Sequence, residues 1–184
     1  MSRMIGVAIE IPEPWTTELT NWRAKIGDPQ AHSVPPHVTL LPPTRLSNEL
    51  CARAEEHLLE VAHAHRPFEM HLRGTGTFQP ISDVVFVVVE RGISDCEQLE
   101  GAVRVGPLDR PIDYPYHPHV TVAHAVPDDA LDRAFDALAG FEAQFTVSGF
   151  TLFEHGRDGV WRPDRAFPFS GTPLRGRPLT DNLA

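Results

Sequence analysis

The chain has 184 residues, a hydrophobic content of 41% and a formal net charge of −9, which together fit one domain or two small fused lobes. The acidic balance argues against a broad surface for long nucleic acid, but it leaves room for a local pocket that holds a small phosphorylated ligand. No apolar run approaches the roughly 20 residues of a membrane-spanning helix, so we expect no membrane partner.

The N-terminus, the cysteines and the C-terminal tail give expectations about compartment and order. The N-terminal segment lacks the basic region and the small-residue cleavage site of a secretory signal. Cys51 and Cys96 form neither a disulfide framework nor a metal motif. We therefore expect a cytoplasmic monomer whose tail, residues 171–184, is loosely ordered because it is rich in proline, glycine and polar residues.

Four segments of the first part of the chain have clear periodicity. Residues 4–11 alternate in polarity and predict a strand that ends at a proline, and residues 14–27 predict a helix that stops at a glycine. Residues 37–41, bracketed by prolines, predict a short strand. Residues 47–65 have the strongest helical stripe, with a serine in the capping position.

The middle of the chain continues with two strands and then a strand between two helices. Residues 68–78 alternate around two glycines and predict a strand with a bulge, and the apolar run 83–90 predicts a central strand buried on both faces. A helix at 94–103, a strand at 118–126 and a helix at 127–141 are predicted next.

The last segments, residues 143–155 and 160–170, predict a closing hairpin around a glycine-rich turn. The resulting order is strand-helix-strand-helix-strand-strand, followed by helix-strand-helix-strand-strand. This order predicts an α+β domain over residues 1–170, with two similar lobes whose boundary falls near residues 90–110.

One tetrapeptide, Pro-His-Val-Thr, occurs at 36–39 and again at 118–121, each time in a short strand that precedes a helix. Since residues i and i+2 of a strand share a face, the histidine and threonine of each copy point the same way while the valine packs on the other side. The matching positions in the two halves predict that the copies face each other across a cleft. The catalytic candidates are therefore His37, Thr39, His119 and Thr121.

Two facing imidazoles suit the cleavage of a phosphodiester or a cyclic phosphate. One histidine can take a proton from the attacking water or hydroxyl, and the other can give a proton to the leaving oxygen, because both titrate near neutrality. The threonine hydroxyls can donate to the non-bridging phosphoryl oxygens as negative charge develops there. This chemistry requires no metal and no other cofactor.

The segments His37-Val38-Thr39-Leu40 and His119-Val120-Thr121-Val122 resemble the paired motifs of the 2H phosphoesterase superfamily, in particular its 2'-5' RNA ligase and cyclic phosphodiesterase branch. The resemblance implies a bilobed fold of two pseudo-symmetric antiparallel sheets with flanking helices and a central cleft. It also implies metal-free opening of 2',3'-cyclic phosphates, or of related cyclic or 2'-5' linked phosphates, of nucleotides or short RNA ends. The two histidines would then be the acid and the base, and the two threonines the phosphate ligands.

One position departs from that family pattern. The ligase-like branch often has an arginine five residues after the second motif histidine, whereas this chain has His124 there. The departure favours hydrolysis over RNA ligation. Further candidates for substrate contacts are Arg45, Phe78, Tyr116, His117 and His124.

Two other classes of function stay open from the sequence. His117 and His119 share a strand face and, with His124 and His37, could form a zinc site, although no carboxylate or cysteine stands at ligand spacing. A nucleotide-binding module without turnover would keep the same fold.

Overall fold

The computed structural model describes residues 2–171. Its strands are Ser2–Glu10 (β1), His37–Ser47 (β2), Phe68–Thr77 (β3), Val84–Arg91 (β4), His119–His124 (β5), Glu142–Val147 (β6), Gly149–His155 (β7) and Trp161–Pro168 (β8). Its helices are Trp15–Lys25 (α1), Asn48–Ala64 (α2), Ile93–Val103 (α3) and Asp128–Ala137 (α4), with a short 3₁₀ turn at Gly106–Leu108. None of these helices is long and apolar enough to cross a membrane. The predicted tail lies, apart from Gly171, outside the described residues.

The eight strands form one antiparallel sheet in the order β6-β3-β4-β5-β2-β1-β7-β8. The sheet consists of two four-stranded halves. Within residues 2–171, their strands pair at one position, where Val38 of β2 lies opposite Val120 of β5. We call β2-β1-β7-β8 the first half-sheet and β5-β4-β3-β6 the second half-sheet. The predicted α+β class with two antiparallel halves is therefore confirmed.

The chain does not divide between the half-sheets at one boundary near residues 90–110. It enters the second half-sheet with β3, after α2, and returns to the first at Ser148, between β6 and β7. The run 143–155 was predicted as one strand, but it belongs to two strands in different halves. Gly149 permits the change, because a Cβ at this position would overlap the backbone carbonyl of Phe167.

The strand β2 is longer than predicted, because it continues through Pro42 and Pro43 to Ser47. Its pairing with β1 shifts register on the way, which accommodates residues that cannot donate to a ladder. The helix α2 begins where the serine predicted it, since the Ser47 side chain accepts a hydrogen bond from the Leu50 backbone N–H at 3.2 Å.

The helices support the two motif strands from behind. The apolar sides of β2 and β5 are buried in one continuous core with the inward faces of the helices. Helix α3 packs against β2, and α1 packs against β5, so each motif strand is supported by the helix that precedes the other one. The opposite side of both strands is left free to line a cleft.

Candidate active site

The two motif strands have the same pattern of exposure. From the histidine onward, residues 37–42 and residues 119–124 have the same order of exposure. The order is half-buried, buried, half-buried, buried, buried and exposed. On either side of the Val38–Val120 pair, the antiparallel register places each motif histidine opposite the threonine of the other copy. The structure thus brings together the four predicted catalytic residues, which all line one cleft: His37, Thr39, His119 and Thr121.

Both imidazoles are held in the same orientation by the backbone. Nδ1 of His37 donates to the carbonyl oxygen of Pro35 at 2.7 Å, and Nδ1 of His119 donates to the carbonyl oxygen of His117 at 2.7 Å. A carbonyl oxygen can only accept, so the proton resides on Nδ1 in the neutral form of each ring. Nε2 of each ring is then the nitrogen that can take up or release a proton.

The surroundings of both histidines disfavour the protonated form of the imidazole. Burial lowers the pKa of His37 from its ordinary value of 6.5, and the positive charge of Arg23 lowers it further. Burial also lowers the pKa of His119, and repulsion from the protonated forms of His117 and His37 lowers it further. Since a proton on one imidazole disfavours a proton on the other, the pair is suited to share a single proton, as an acid and a base do.

Each motif strand carries a bulge in the same place. Val122 is an extra residue between Thr121, which pairs with Phe86, and Ala123, which pairs with Val85. Strand β2 has two register shifts against β1, and one of them leaves an extra residue at the corresponding Leu40. The bulge reverses the alternation, so the fifth residue after each histidine returns to the cleft side. In β5 that residue is His124, and both it and its counterpart Pro42 line the cleft.

The cleft has a volume of roughly 730 Å³ and contains four of the five predicted substrate contacts. These are Phe78, Tyr116, His117 and His124. Arg45 is the exception, since it lies on β2 opposite Met4 of β1 and its guanidinium contacts the Ser2 hydroxyl at 3.4 Å. The structure therefore does not bring Arg45 to this cleft, because β2 continues past Pro42 and Pro43 and Arg45 lies beyond them on the strand.

Two aromatic side chains order the wall of the cleft. Phe78 packs on Phe86, with 4.4 Å between ring centroids, and meets the His119 ring edge-on at 4.8 Å. The Tyr116 hydroxyl donates to the Thr39 carbonyl oxygen at 2.9 Å. This bond ties the loop before β5 to the strand β2. Tyr116 therefore joins the two motifs, in addition to lining the cleft.

Two arginines that the sequence did not single out also line the cleft. Arg23, near the end of α1, contacts Asp28 at 2.9 Å and donates to the Val34 carbonyl oxygen at 3.1 Å. The neighbouring Pro35 is the residue that orients His37. Arg23 therefore fixes the loop that leads into the first motif.

Arg104 performs the corresponding task before the second motif. Directly after α3, its Nη2 donates to the carbonyl oxygens of Arg110 and Pro111 at 3.3 and 3.2 Å, and its Nε lies 3.4 Å from Glu100. Each arginine thus follows or ends the helix before a motif strand. This matched placement is the signal in the sequence that could have identified them.

The geometry gives no support to the zinc alternative. Among residues 2–171, no group of three histidine, cysteine, aspartate or glutamate side chains is arranged to hold a metal ion. Nδ1 of His37 and Nδ1 of His119 are both engaged with backbone carbonyls. The arrangement instead presents two Nε2 atoms and two hydroxyls to one ligand.

Relatives of known sequence extend over nearly the whole chain. A protein of Bacillus cytotoxicus, provisionally named a phosphoesterase, is 26% identical over 167 residues, which cover 89% of this chain and 95% of the relative. A protein of Oceanobacillus iheyensis with a similar provisional name is 26% identical over 164 residues, covering 88% and 95%.

Solved structures share the fold. LigT of E. coli in complex with 3'-AMP superposes with a TM-score of 0.70 at 20% identity, covering 92% of this chain and 99% of LigT. The protein TT0787 of Thermus thermophilus gives a TM-score of 0.61 at 23% identity, covering 91% and 98%. At such identities the likeness concerns the fold alone. A family profile, however, matches residues 11–159, and on that match the chain belongs to the 2'-5' RNA ligase superfamily, as the two H-x-T motifs indicated.

Proposed function

We propose that this protein is a phosphodiesterase that opens 2',3'-cyclic phosphates of nucleotides or RNA ends without a metal ion. The observation that carries the proposal is the convergence of His37, Thr39, His119 and Thr121 on one cleft around the Val38–Val120 pair. The provisional phosphoesterase names of the Bacillus and Oceanobacillus relatives support it. So does the complex of LigT with 3'-AMP, since a nucleoside monophosphate is the product of such a reaction.

The reaction divides between the two imidazoles. A water oxygen attacks phosphorus and gives its proton to the neutral Nε2 of one histidine. The bond from phosphorus to one ribose oxygen breaks, and that oxygen receives the proton that the other histidine carries, which yields a nucleoside monophosphate. Binding of the anionic substrate offsets the lowered pKa of whichever histidine is protonated, so the single shared proton is favoured when substrate is present.

The threonines stabilise the charge that develops during the attack. Thr39 and Thr121 are half-buried on the same side as the histidines. Their hydroxyls can donate to the two non-bridging oxygens, where negative charge grows in the transition state. Partial exclusion of water strengthens these hydrogen bonds relative to the same contacts in bulk solvent.

A panel of substrates in EDTA tests the proposal. The panel contains 2',3'-cyclic mononucleotides, an ADP-ribose cyclic phosphate, 2'-5'-linked dinucleotides and RNA that ends in a cyclic phosphate. His37→Ala and His119→Ala are each expected to lower kcat/KM roughly 10²- to 10⁴-fold, because each removes an acid or a base. His63→Ala, an exposed histidine on α2, is the matched control and should keep full activity.

Two results would contradict the proposal. Full activity of both cleft variants would remove the histidines from the reaction, and loss of activity in EDTA that returns with a divalent ion would make it metal-dependent. Tight nucleotide binding with no turnover of any substrate in the panel would instead indicate a binding module.

A further inference from the structure

The two half-sheets differ at the residue that faces each motif threonine. Ala8 of β1 pairs with Thr39, whereas Phe86 of β4 pairs with Thr121. Side chains that face each other across a pair of strands lie on the same side of the sheet, so both residues lie beside the cleft. The methyl group of Ala8 leaves space that the phenyl ring of Phe86 occupies in the other half.

This space is a hollow of roughly 220 Å³ beside His37. Gly6 and Ala8 form its floor, and Phe153 and Trp161 form aromatic parts of its wall. His37 and Thr39 line both the hollow and the cleft of the proposed reaction, so the two spaces adjoin at these residues.

The wall of the hollow is fixed in advance. The Trp161 backbone N–H donates to the Ser33 carbonyl oxygen at 2.8 Å, and the His155 ring packs on the indole with 4.9 Å between centroids. The indole lies against Gly6, since a Cβ there would contact its ring at 3.4 Å. A rigid aromatic surface of this kind loses little conformational entropy when a ligand binds.

The corresponding space in the second half-sheet is filled by the protein itself. Phe78 lies on Phe86 there, and the two rings pack against His119. A planar group of the substrate can therefore enter beside His37 but not at the equivalent place beside His119. Gln30 also lines the hollow, and its amide can donate to or accept from the polar edge of such a group.

We infer that the hollow formed by Gly6, Ala8, Phe153 and Trp161 binds the nucleobase of the substrate. The chemistry that fits is a flat, mostly apolar ring with polar atoms at its edge, attached through a ribose to the phosphate between the two histidines. This inference rests on the proposed function, and it adds that the site selects nucleotides over cyclic phosphates that carry no base.

The test compares a cyclic phosphate with a base to one without. Wild type, Trp161→Ala and Ala8→Val are assayed on 2',3'-cyclic AMP and on glycerol 1,2-cyclic phosphate. Loss of base stacking in Trp161→Ala is expected to lower kcat/KM for 2',3'-cyclic AMP roughly tenfold, mainly through KM, and to leave the glycerol ester within about twofold. Ala8→Val partly fills the hollow and should act in the same direction. Phe135→Ala, which removes an exposed aromatic ring from α4, is the control.

The inference is overturned if the two substrates are affected equally, or if neither variant changes the preference for the nucleotide. If wild type turns over neither substrate, the proposed function fails and binding decides the inference separately. Calorimetry with 3'-AMP then has to show binding at least about tenfold weaker for Trp161→Ala, whereas unchanged binding overturns the nucleobase site. Ala8→Val provides the same readouts should Trp161→Ala not fold.

Discussion

In the half-sheet that carries His37, the residue opposite the motif threonine is Ala8, and in the half-sheet that carries His119 it is Phe86. Around this difference the two halves agree closely. Both histidines donate through Nδ1 to a backbone carbonyl at 2.7 Å, and both strands carry a bulge one residue after the threonine. The features that the halves share are those that the proposed acid and base catalysis needs.

The features that differ surround the catalytic groups. His119 is packed against aromatic rings of the protein, whereas His37 borders an open hollow. Pro42 occupies the cleft position that His124 occupies in the other strand. The two motif histidines thus have unlike surroundings. In the proposed reaction, this difference can decide which histidine acts as the acid and which as the base.

The largest expected effect concerns which histidine acts as the acid and which as the base. If the nucleobase binds beside His37, as inferred, we expect the ribose oxygens to lie near His37 and the attacking water to enter from the side of His119. His37 is then the acid and His119 the base in the opening of a cyclic phosphate. In the reverse type of step, where a ribose hydroxyl attacks, the roles exchange, and His37 becomes the base.

An activated ester separates the two roles. In adenosine 2'- or 3'-(p-nitrophenyl phosphate), the free ribose hydroxyl attacks phosphorus, its proton passes to His37, and p-nitrophenolate leaves without needing an acid. On the isomer that is cleaved, His37→Ala should lose roughly 10²- to 10⁴-fold in kcat/KM, while His119→Ala should lose less than about tenfold. Release of p-nitrophenolate is followed by absorbance. Equal losses, or the opposite order, would show that the asymmetry does not direct the reaction.

The second comparison concerns the two arginines that fix the loops before the motifs. The side chains of Arg23 and Asp28 are 3% and 0% exposed, whereas those of Arg104 and Glu100 are 11% and 10% exposed. Burial raises the pKa of Glu100, so this carboxyl can take up a proton when its partner is removed. Asp28 is more deeply buried and would be left without its cation.

Arg23→Met is therefore expected to lower the free energy of unfolding by about 3–5 kcal/mol, and Arg104→Met by about 1–3 kcal/mol. Urea unfolding, followed by circular dichroism, measures both. The double variant Arg23→Met with Asp28→Leu should recover part of the first loss, because no buried charge remains unpaired. If Arg104→Met lowered the free energy of unfolding more than Arg23→Met does, burial of the ion pair would not determine which variant is less stable.

The sequence predicted the local parts of this structure and missed the parts that depend on packing. The strand positions of His37 and His119 follow from alternation and from the flanking prolines, and both are where they were expected. The change of half-sheet at Ser148 was missed, because the alternation of residues 143–155 continues through it. Trp161 was missed because it approaches His37 only when β8 completes the first half-sheet.

The position of His124 shows how a local irregularity decides a site. By strict alternation, a residue five positions after His119 lies on the opposite side of the strand, yet the bulge at Val122 returns it to the cleft. The prediction that His124 lies near the substrate came from the family pattern and not from strand geometry. The family pattern pointed to this position because the pattern already includes the effect of the bulge. The polarity of the residues alone does not reveal the bulge.

The smallest expected effect is that of His124→Arg, which restores the cation common in the ligase-like branch. A guanidinium in this exposed position would attract the phosphodiester with about 0.2–1 kcal/mol, so KM should fall at most about fivefold at low salt. His63→Arg makes the same change in net charge on α2 and should leave KM unchanged. Since exposed charges are screened, the gain should disappear as the ionic strength rises above roughly 0.15 M. A gain that persists in salt would instead indicate a direct bidentate contact with the phosphate.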